Sequence, residues 1–396
     1  MRTVTIIAIV VIVIIIVAAG AAYALVFRGT NTSTQTSSST NVQSSSSSFA
    51  TTISSSNSTQ SVNFGIDVAQ SEEFIPVYAA EHGGFWKQEG VNVNVVSFPG
   101  GAPHMQAVAT GEVQMGSASP VGQLIATSHG TAMTAVAVNL PQADMTVIVQ
   151  NSSKYTDPSQ LKGATIGVTS LGSYTDLMAH VLANHYNFTL GTDIHEAALG
   201  GLQAQLAALT TSKTQAFIWT YDEAYVLQSK GDAKILFFMS SILPVWPAEC
   251  YYATNSLISS NPTLVHKVLQ GLTNAVAYMK SNKTYAIQVT TQYLGVSSTV
   301  AGQIVDKAFF GNSSFSSDGQ FTPQIVDALN VLRTTMLNLN VSSNLIPISQ
   351  YYTSQFVPLT AQSVSPQASI IGGLSIGASP ESRIESTLLV PLRNWS

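Results

Sequence analysis

The chain has 396 residues, with 15 Lys and Arg, 20 Asp and Glu, a net charge of −5 and one cysteine. This length supplies two to three domains with sizeable cores, which excludes a miniprotein held together by disulfides or metal. One cysteine excludes an internal disulfide and cysteine-based zinc or iron–sulfur sites. So few basic residues, none of them clustered, exclude a nucleic-acid-binding protein. Because only 9% of the residues are charged, Ser, Thr, Asn and Gln must solvate most of the surface.

The N-terminal part predicts an export or membrane segment followed by a stalk. Residues 4–27 are apolar and uncharged, which is long enough to cross a hydrocarbon core of about 30 Å. Small residues at 18–22 also fit a cleaved signal peptide, so residues 1–28 are either a retained anchor or a removed signal. Residues 29–62 are rich in Ser and Thr and contain no charged residue, which is typical of a disordered stalk. Both alternatives export the remainder, and a retained anchor would hold it at the cell membrane with the binding domain on the extracellular or periplasmic side.

Glycosylation sequons agree with export, and they predict a glycoprotein. They arise readily by chance in a chain rich in Asn and Ser, so they add little weight by themselves. The sequons begin at Asn31, Asn57, Asn151, Asn187, Asn282, Asn312, Asn340 and Asn394.

From residue 63 onward strand and helix patterns alternate, which predicts an α/β fold with mostly parallel sheets. The order strand, glycine pair, helix, strand occurs twice, with the pairs at Gly100-Gly101 and Gly200-Gly201. A glycine pair before a helix lets a ligand approach the free backbone N–H groups at the helix N-terminus. The alternative is a tight turn with no ligand. The repetition predicts two similar lobes.

Several segments of this region resemble the extracytoplasmic solute-binding proteins of ABC importers, in the group for sulfonates, taurine, nitrate and thiamine-pyrimidine precursors. The matching segments are residues 76–90, 100–116, 161–168, 172–176 and 215–219, and the resemblance covers about residues 63–355. It implies a two-lobed, type II periplasmic-binding-protein-like fold. Each lobe is then a mostly parallel sheet flanked by helices, and two hinge strands join the lobes, which close on a small solute.

The resemblance also implies the domain limits. The first lobe is expected to contain residues 63–148 and 252–360, and the second lobe residues 149–251. The hinge crossings are expected near residues 145–151 and 249–254. Residues 361–396 are then a C-terminal extension.

Candidate ligand-binding residues lie where strands end and helices begin, because open α/β sheets bind ligands at that edge. The adjacent acids Glu72 and Glu73 favour recognition of an amine or another cation, and the alternative is a solvated or helix-capping loop. Trp219 is expected to stack on the ligand, as the resemblance implies, or else to pack in the core. The predicted ligand-binding residues are Gln70, Ser71, Glu72, Glu73, Phe74, Gly100, Gly101, Ser117, Ser119, Thr169, Ser170, Gly172, Ser173, Tyr174, Trp219, Tyr221 and Glu223.

Neither a metal nor another cofactor is expected. The seven histidines show no metal-ligand spacing, and His180 and His185 are five residues apart rather than the four of a helical zinc pair. The chain also contains no hydrolase elbow or phosphate-binding loop motif.

The resemblance implies a monomeric receptor that captures a small organic solute and delivers it to an ABC permease. The solute would be a sulfonate, a taurine-like zwitterion or an aminopyrimidine thiamine precursor, and the chain would not be an enzyme. The first alternative is an enzyme on the same fold. Pyrimidine-synthesising relatives carry a cysteine-rich motif, whereas this chain has only Cys250, and menaquinone-pathway enzymes work in the cytoplasm. The second alternative is a sensory or adhesive ectodomain.

Overall fold

The computed structural model describes residues 60–311, 314–339 and 341–367. The predicted anchor or signal, nearly all of the stalk and most of the C-terminal extension lie outside the described residues. The sequons at Asn31, Asn57, Asn312, Asn340 and Asn394 lie outside them too. Within the described ranges, no helix combines the length and apolar character that a bilayer crossing requires.

Ten strands in the described part of the chain form two sheets of five. The strands are β1 Gln60–Asp67, β2 Val91–Phe98, β3 Met115–Ala118, β4 Met133–Leu140, β5 Met145–Gln150, β6 Thr165–Val168, β7 His195–Ala198, β8 Ala216–Thr220, β9 Ala233–Phe238 and β10 Glu249–Thr254. Strand β1 therefore begins at Gln60, two residues before the predicted end of the stalk.

The two sheets have the same layout. The first has the order β2-β1-β3-β10-β4, and the second has the order β7-β6-β8-β5-β9. In each, the first three strands are parallel, and the fourth strand runs antiparallel to both of its neighbours. This confirms the predicted two-lobed α/β fold, with mixed rather than purely parallel sheets. We call the part built around the first sheet the first lobe and the part around the second sheet the second lobe.

The chain passes between the sheets twice. It leaves the first sheet after Leu140 and enters the second at Met145, and it returns between Phe238 and Glu249. Both changes of sheet occur earlier in the chain than at the expected boundaries, 148/149 and 251/252. In each sheet the antiparallel strand is the one that begins after a crossing, β5 or β10.

Helices cover both sheets. They are α1 Ile75–His82, α2 Phe85–Gln88, α3 Gly101–Thr110, α4 Pro120–Ser128, α5 Tyr174–His185, α6 Leu202–Thr210, α7 Tyr221–Lys230, α8 Asn255–Ser260, α9 Pro262–Ser281, α10 Lys283–Leu294, α11 Ser298–Val305, α12 Pro323–Asn338 and α13 Ile348–Tyr351. Single turns of 3₁₀ helix lie at Glu72–Phe74, Pro158–Leu161 and Met239–Ser241, and a π-helical turn lies at Asp306–Phe310.

Capping residues explain where several helices begin. The hydroxyl of Ser119 accepts a hydrogen bond from the Val121 N–H, and Pro120 follows it at the first helical position. Ser173 caps α5 in the same way, accepting from the Asp176 N–H. The starts of these helices are therefore encoded locally, and they lie at the strand ends where the two lobes meet.

The core is continuous across the two lobes. One cluster contains Val138 of β4 and Val147 of β5, together with Leu329 and Leu332 of α12. Helix α12 was expected in the first lobe, yet its apolar face packs in this shared cluster. Such packing holds β4, β5 and α12 together beside the first crossing.

Candidate functional site

Acidic side chains from both lobes meet where the lobes close on one another. Glu72 stands in the 3₁₀ turn after β1, and its backbone N–H donates to Asp222 Oδ2 at 3.3 Å. Asp222 lies in the first turn of α7, in the second lobe. Both residues are buried. We use the name cleft carboxylates for the five acids that surround this contact: Glu72, Glu73, Asp144, Asp222 and Glu249.

The loop after β1 is shaped to present the two glutamates. Gln70 has a positive φ of 66° and donates its N–H to the Tyr293 hydroxyl at 3.1 Å. Phe74 is fully buried in the core of the first lobe and anchors the other end of the turn. Between them, the Ser71 hydroxyl lies 3.0 Å from Glu72 Oε2 and 3.1 Å from Glu73 Oε2. The loop holds both carboxyl groups towards the second lobe.

Asp144 is supplied by the first crossing, just before β5. It is fully buried, and neither of its carboxyl oxygens has a well-formed hydrogen bond. Glu73 and Tyr174 are the neighbours that interact with it most closely. Its carbonyl oxygen accepts the Tyr221 N–H at 3.1 Å, which fixes the start of α7 against the crossing. Asp144 is therefore a buried acid held in place by its backbone rather than by partners of its side chain.

Glu249 is supplied by the return crossing, at the start of β10. Ser117, at the end of β3, donates its hydroxyl to Glu249 Oε2 at 2.8 Å. The Asn139 side chain donates to the Glu73 carbonyl oxygen at 3.2 Å and accepts from the Tyr251 hydroxyl at 2.8 Å. This network ties the acids of the first lobe to the ends of its strands.

Burial and mutual repulsion raise the pKa values of Glu72, Glu73, Asp144 and Glu249. Burial first, and then the negative charges of Asp222, Glu73 and Asp144, hold the pKa of Glu72 well above its usual range. Burial is also the largest cause of the raised pKa of Asp144 and of Glu249. The hydroxyls of Tyr174 and Tyr221 have raised pKa values for the same reason, so both stay protonated and available as donors.

Cationic partners are scarce around the cleft carboxylates. Among residues 60–311, 314–339 and 341–367, none of the five makes an ion pair within 4.0 Å. The ammonium of Lys307 lies 4.1 Å from the Phe238 ring centroid and 3.3 Å from Ser240 Oγ. Burial lowers the pKa of Lys307, and the charges of Asp144 and Glu72 oppose that shift. One partly buried lysine thus faces a cluster of several acids.

The glycine pair of the first lobe lies beside another acid. Asp67 Oδ2 is 3.2 Å from the position that a β-carbon on Gly101 would take, at the N-terminus of α3. Asp67 also contacts the fully buried ring of His104, whose other nitrogen contacts the Tyr252 hydroxyl. A carboxylate of the chain itself therefore stands beside Gly101 at this helix N-terminus, whereas nothing lies within 4 Å of a β-carbon placed on Gly100.

The predicted residues of the second lobe form a hydroxyl cluster. Thr169 Oγ1 donates to Ser173 Oγ at 2.8 Å and lies 2.9 Å from Thr175 Oγ1, and the Gly172 N–H donates to Asp176 Oδ2 at 2.8 Å. Tyr174 extends from this loop to the cleft carboxylates, whereas Ser170 is exposed. The loop therefore reaches the site mainly through Tyr174.

Three further predicted residues have contacts of different kinds. Ser119 caps α4. Trp219 packs with Phe217 in the apolar cluster under α6 and α7. Its expected stacking on a ligand stays a prediction. Glu223 follows Asp222 on α7 and donates its backbone N–H to Asp222 Oδ1 at 2.7 Å. Tyr221, buried and with an unpartnered hydroxyl, is the aromatic residue of this segment that faces the acids.

Sequence reasoning missed Asp144, Asp222, Glu249 and Lys307. Three of them had a readable signal, because each acid borders a buried strand in a chain with few charges: Asp144 before β5, Asp222 after β8 and Glu249 at the start of β10. Lys307 had none, since it lies in a π-helical turn of the helical region. Cys250 is fully buried, and burial raises the pKa of its thiol far above neutrality.

Solved structures share this fold. The periplasmic aliphatic sulphonate binding protein SsuA from Escherichia coli aligns with a TM-score of 0.65 and 15% identity, over 80% of this chain and 98% of that one. The desulfurization enzyme DSZB, in complex with biphenyl-2-sulfinic acid, aligns with a TM-score of 0.58 and 13% identity, over 75% and 97%. At these identities the likeness concerns the fold alone.

The curated relatives correct one expectation. The 4-amino-5-hydroxymethyl-2-methylpyrimidine phosphate synthase of Candida albicans is 24% identical over 237 residues, which is 56% of this chain and 68% of that protein. The synthase THI11 of Saccharomyces cerevisiae is 25% identical over 130 residues, 33% of this chain and 38% of the relative. These relatives are named as synthases, which are enzymes, so the expectation from the resemblance that the chain is not an enzyme is wrong.

The family model named NMT1/THI5 like matches residues 71–286. That range begins in the loop with Glu72 and Glu73 and ends in α10, so it contains all five cleft carboxylates. It covers more than half of the chain and agrees with the resemblance that the sequence shows. The chain therefore belongs to the NMT1/THI5-like family.

Proposed function

We propose that this protein is an extracytoplasmic solute-binding receptor that closes its two lobes on a small organic solute with a positively charged or strongly donating nitrogen. The observation that carries the proposal is the set of cleft carboxylates, four of which are buried. They come from both lobes and have no cationic partner within ion-pair distance in the described residues. Glu72 Oε1 and both carboxyl oxygens of Asp144 are buried without a well-formed hydrogen bond, so a ligand could bind them.

The energetics favour a ligand of this charge. Burying a carboxylate without a partner costs several kcal/mol, or else the group takes up a proton. A cation between the lobes removes that cost only when Glu72 of the first lobe and Asp222 of the second come together, as they do here. The solute therefore stabilises the closed form by contacts that the open form lacks, which is how a receptor of this kind couples binding to closure.

An aminopyrimidine is the solute class that we favour. The curated relatives are named for an aminopyrimidine phosphate. An exocyclic amine donates to a carboxylate, and a neutral carboxyl group donates to a ring nitrogen. The raised pKa values of Glu72 and Asp144 supply such neutral groups. A sulfonate as the main determinant is disfavoured, because Asp67 already stands at the helix N-terminus of the first lobe.

The receptor proposal includes delivery to an ABC permease. The apolar residues 4–27 and the Ser/Thr-rich residues that follow would keep the lobes near the extracytoplasmic face of the cell membrane. A monomer suffices for this role, because both halves of the site come from one chain.

A synthase is the second candidate function, and the names of the curated relatives favour it. If the chain works as a synthase, its chemistry uses groups other than a cysteine thiolate, because the Cys250 thiol is buried and has a raised pKa. The cleft carboxylates would then act as proton donors or acceptors at the same site.

Native mass spectrometry of the full-length chain, purified without unfolding, tests the proposal. We expect a co-purifying small molecule of amine or aminopyrimidine type that is released unchanged on unfolding. Replacing the carboxyl group of Glu72 by an amide in Glu72→Gln should lower affinity for that molecule by about tenfold or more. Glu112→Gln, at an exposed glutamate of the same lobe, is the matched control and should bind normally.

Two outcomes would count against the receptor. A bound molecule that is chemically converted during incubation would favour the synthase. A cleft that holds no nitrogen-bearing solute, together with equal thermal shifts for Glu72→Gln and wild type across aminopyrimidines, amines and sulfonates, would remove the role of the carboxylates.

A further inference from the structure

A second group of ligand-type side chains lies in the second lobe, outside the cleft carboxylates. Asp176 and His180 are four residues apart on α5, so they lie on the same face of that helix. Glu196 is the second residue of β7, the edge strand beside β6. The fold brings an aspartate, a histidine and a glutamate together from two elements.

The donor atoms of these three residues converge. One atom from each residue lies within 4.8 Å of the other two, and His180 Nε2 is 3.8 Å from Glu196 Oε2. A tetrahedral zinc ion bonds nitrogen and oxygen at about 2.0–2.2 Å, so two of its ligand atoms are about 3.3–3.6 Å apart. Binding would therefore draw the three side chains together by up to about 1 Å, and His180 and Glu196 are partly exposed.

Unsatisfied oxygens mark the group as more than a surface cluster. Asp176 is 4% exposed, and its Oδ1 has no hydrogen-bond partner, while its Oδ2 accepts the Gly172 N–H at 2.8 Å. One oxygen therefore orients the carboxylate and the other is left for a ligand. Glu196 Oε1 is also buried and unpartnered. Buried polar atoms in native proteins nearly always have partners, so two orphaned oxygens in one group require an explanation.

The two carboxyl groups need a partner between them. Asp176 and Glu196 stand close together, and without a cation they must share a proton, whereas a divalent ion would satisfy both oxygens at once.

We propose that Asp176, His180 and Glu196 bind one divalent transition-metal ion, for which Zn²⁺ is the best match. One imidazole nitrogen and two carboxylate oxygens are donors that zinc accepts readily, and they leave a fourth position for water. The site is separate from the cleft carboxylates. It would fix the loop of Thr169 to Tyr174, because Asp176 holds Gly172 of that loop through its second oxygen.

Zinc titration of the untagged full-length chain, stripped of metal with a chelator, tests this site. We expect binding of one Zn²⁺ per chain, measured against a chromophoric chelator, and a higher unfolding temperature with zinc than without it. His180→Gln and Glu196→Gln should each weaken zinc binding by about tenfold or more. His185→Gln, at an exposed histidine of the same helix, is the matched control and should bind as wild type does.

The zinc X-ray absorption spectrum separates this site from the cleft. We expect imidazole scattering that disappears in His180→Gln and persists in Asp144→Asn. The absence of saturable one-to-one binding to wild type would overturn the proposal. Zinc binding that is lost in Asp144→Asn and kept in His180→Gln would overturn it too, by placing the ion among the cleft carboxylates. Asp176→Asn would not test the site cleanly, because it also alters the contact with Gly172 that holds the loop.

Discussion

The two lobes have the same arrangement of strands and helices, which we call the frame, but they differ in the side chains that pack inside it. In the first lobe Gly65 of β1 makes room for His104 of α3, and in the second lobe Gly167 of β6 makes room for Gln205 of α6. In both lobes, the glutamine just before the third parallel strand bonds to the backbone of the neighbouring parallel strand. The Gln114 side chain accepts the Asn63 N–H at 3.2 Å, and the Gln215 side chain accepts the Thr165 N–H at 2.9 Å.

The difference lies in the connections. His104 links Asp67 to Tyr252, whereas Gln205 Oε1 is buried without a partner. Four acids of the site come from connections between the strands: Glu72 and Glu73 from the loop after β1, Asp144 from the first crossing and Glu249 from the second, whereas Asp222 comes from the first turn of α7. The strands and helices thus build the frame, and the connections supply most of the acids of the site.

Gly65→Ala should break the frame of the first lobe with the largest effect. A β-carbon at this position would lie 2.1 Å from His104 Nε2, and the ring is fully buried between partners. We expect a loss of about 3 kcal/mol in the free energy of unfolding, measured by urea denaturation.

The same change in the second lobe sharpens the comparison. In Gly167→Ala the β-carbon would lie 2.0 Å from Gln205 Oε1, the flexible end of a side chain, so we expect a smaller loss of about 1–2 kcal/mol. Gly122→Ala, inside α4 with its nearest contact at 4.0 Å, is the control and should be neutral or slightly stabilising. Equal losses at Gly65 and Gly167 would mean that the His104 network adds no rigidity.

His104→Gln gives the first lobe the residue that the second lobe has. Asp67 and Tyr252 would then lose their common partner, and we expect a loss of about 2 kcal/mol in the free energy of unfolding. Urea denaturation at neutral pH measures it. A variant as stable as the wild type would show that the network is replaceable by a single amide.

The frame was readable from the sequence because its signals are local. The alternation of strands and helices and the two glycine pairs are patterns of a few residues each, and they predicted two matching lobes. Glu72 and Glu73 were found for the same reason, since they stand together in one loop. Asp144, Asp222 and Glu249 are far apart in the chain and meet only through the crossings, so no local pattern joins them.

The group of Asp176, His180 and Glu196 shows what a pattern of paired histidines leaves out. It has one histidine, and its third member comes from a different element. Trp219 lies two residues after Phe217, and alternate residues of a strand share a face, so Trp219 packs on the same apolar cluster under α6 and α7.

Asp144→Asn tests the charge of the connections, with an intermediate effect. Because the pKa of Asp144 is raised in the folded protein, the folded state binds more protons than the unfolded chain between about pH 3.9, where a free aspartate ionises, and the raised pKa. The free energy of unfolding of the ligand-free wild type should therefore fall as the pH rises through this interval. The variant should gain about 1–2 kcal/mol on the wild type at pH 7.5 and less at pH 5.

Denaturation of both proteins at the two pH values measures this difference. Asp327→Asn, at an exposed aspartate of α12, is the matched control and should follow the wild-type profile. If the gain of Asp144→Asn were the same at both pH values, the burial of an ionisable group at this position would not govern stability.

Lys307→Met should have the smallest effect, and it asks whether the one lysine near the cleft opposes a cationic solute. The methionine keeps the apolar stem against the Phe238 ring and removes the bond to Ser240, so stability should change by less than about 1 kcal/mol. Because the ammonium interacts with Asp144 and Glu72, its removal should raise affinity for an amine-bearing solute by about two- to fivefold at low salt, as calorimetry would show. Lys230→Met, at an exposed lysine ending α7, should leave affinity unchanged. Weaker binding by Lys307→Met would instead mean that the lysine contacts an anionic part of the solute, and the charge of the favoured ligand would have to be reversed at that end.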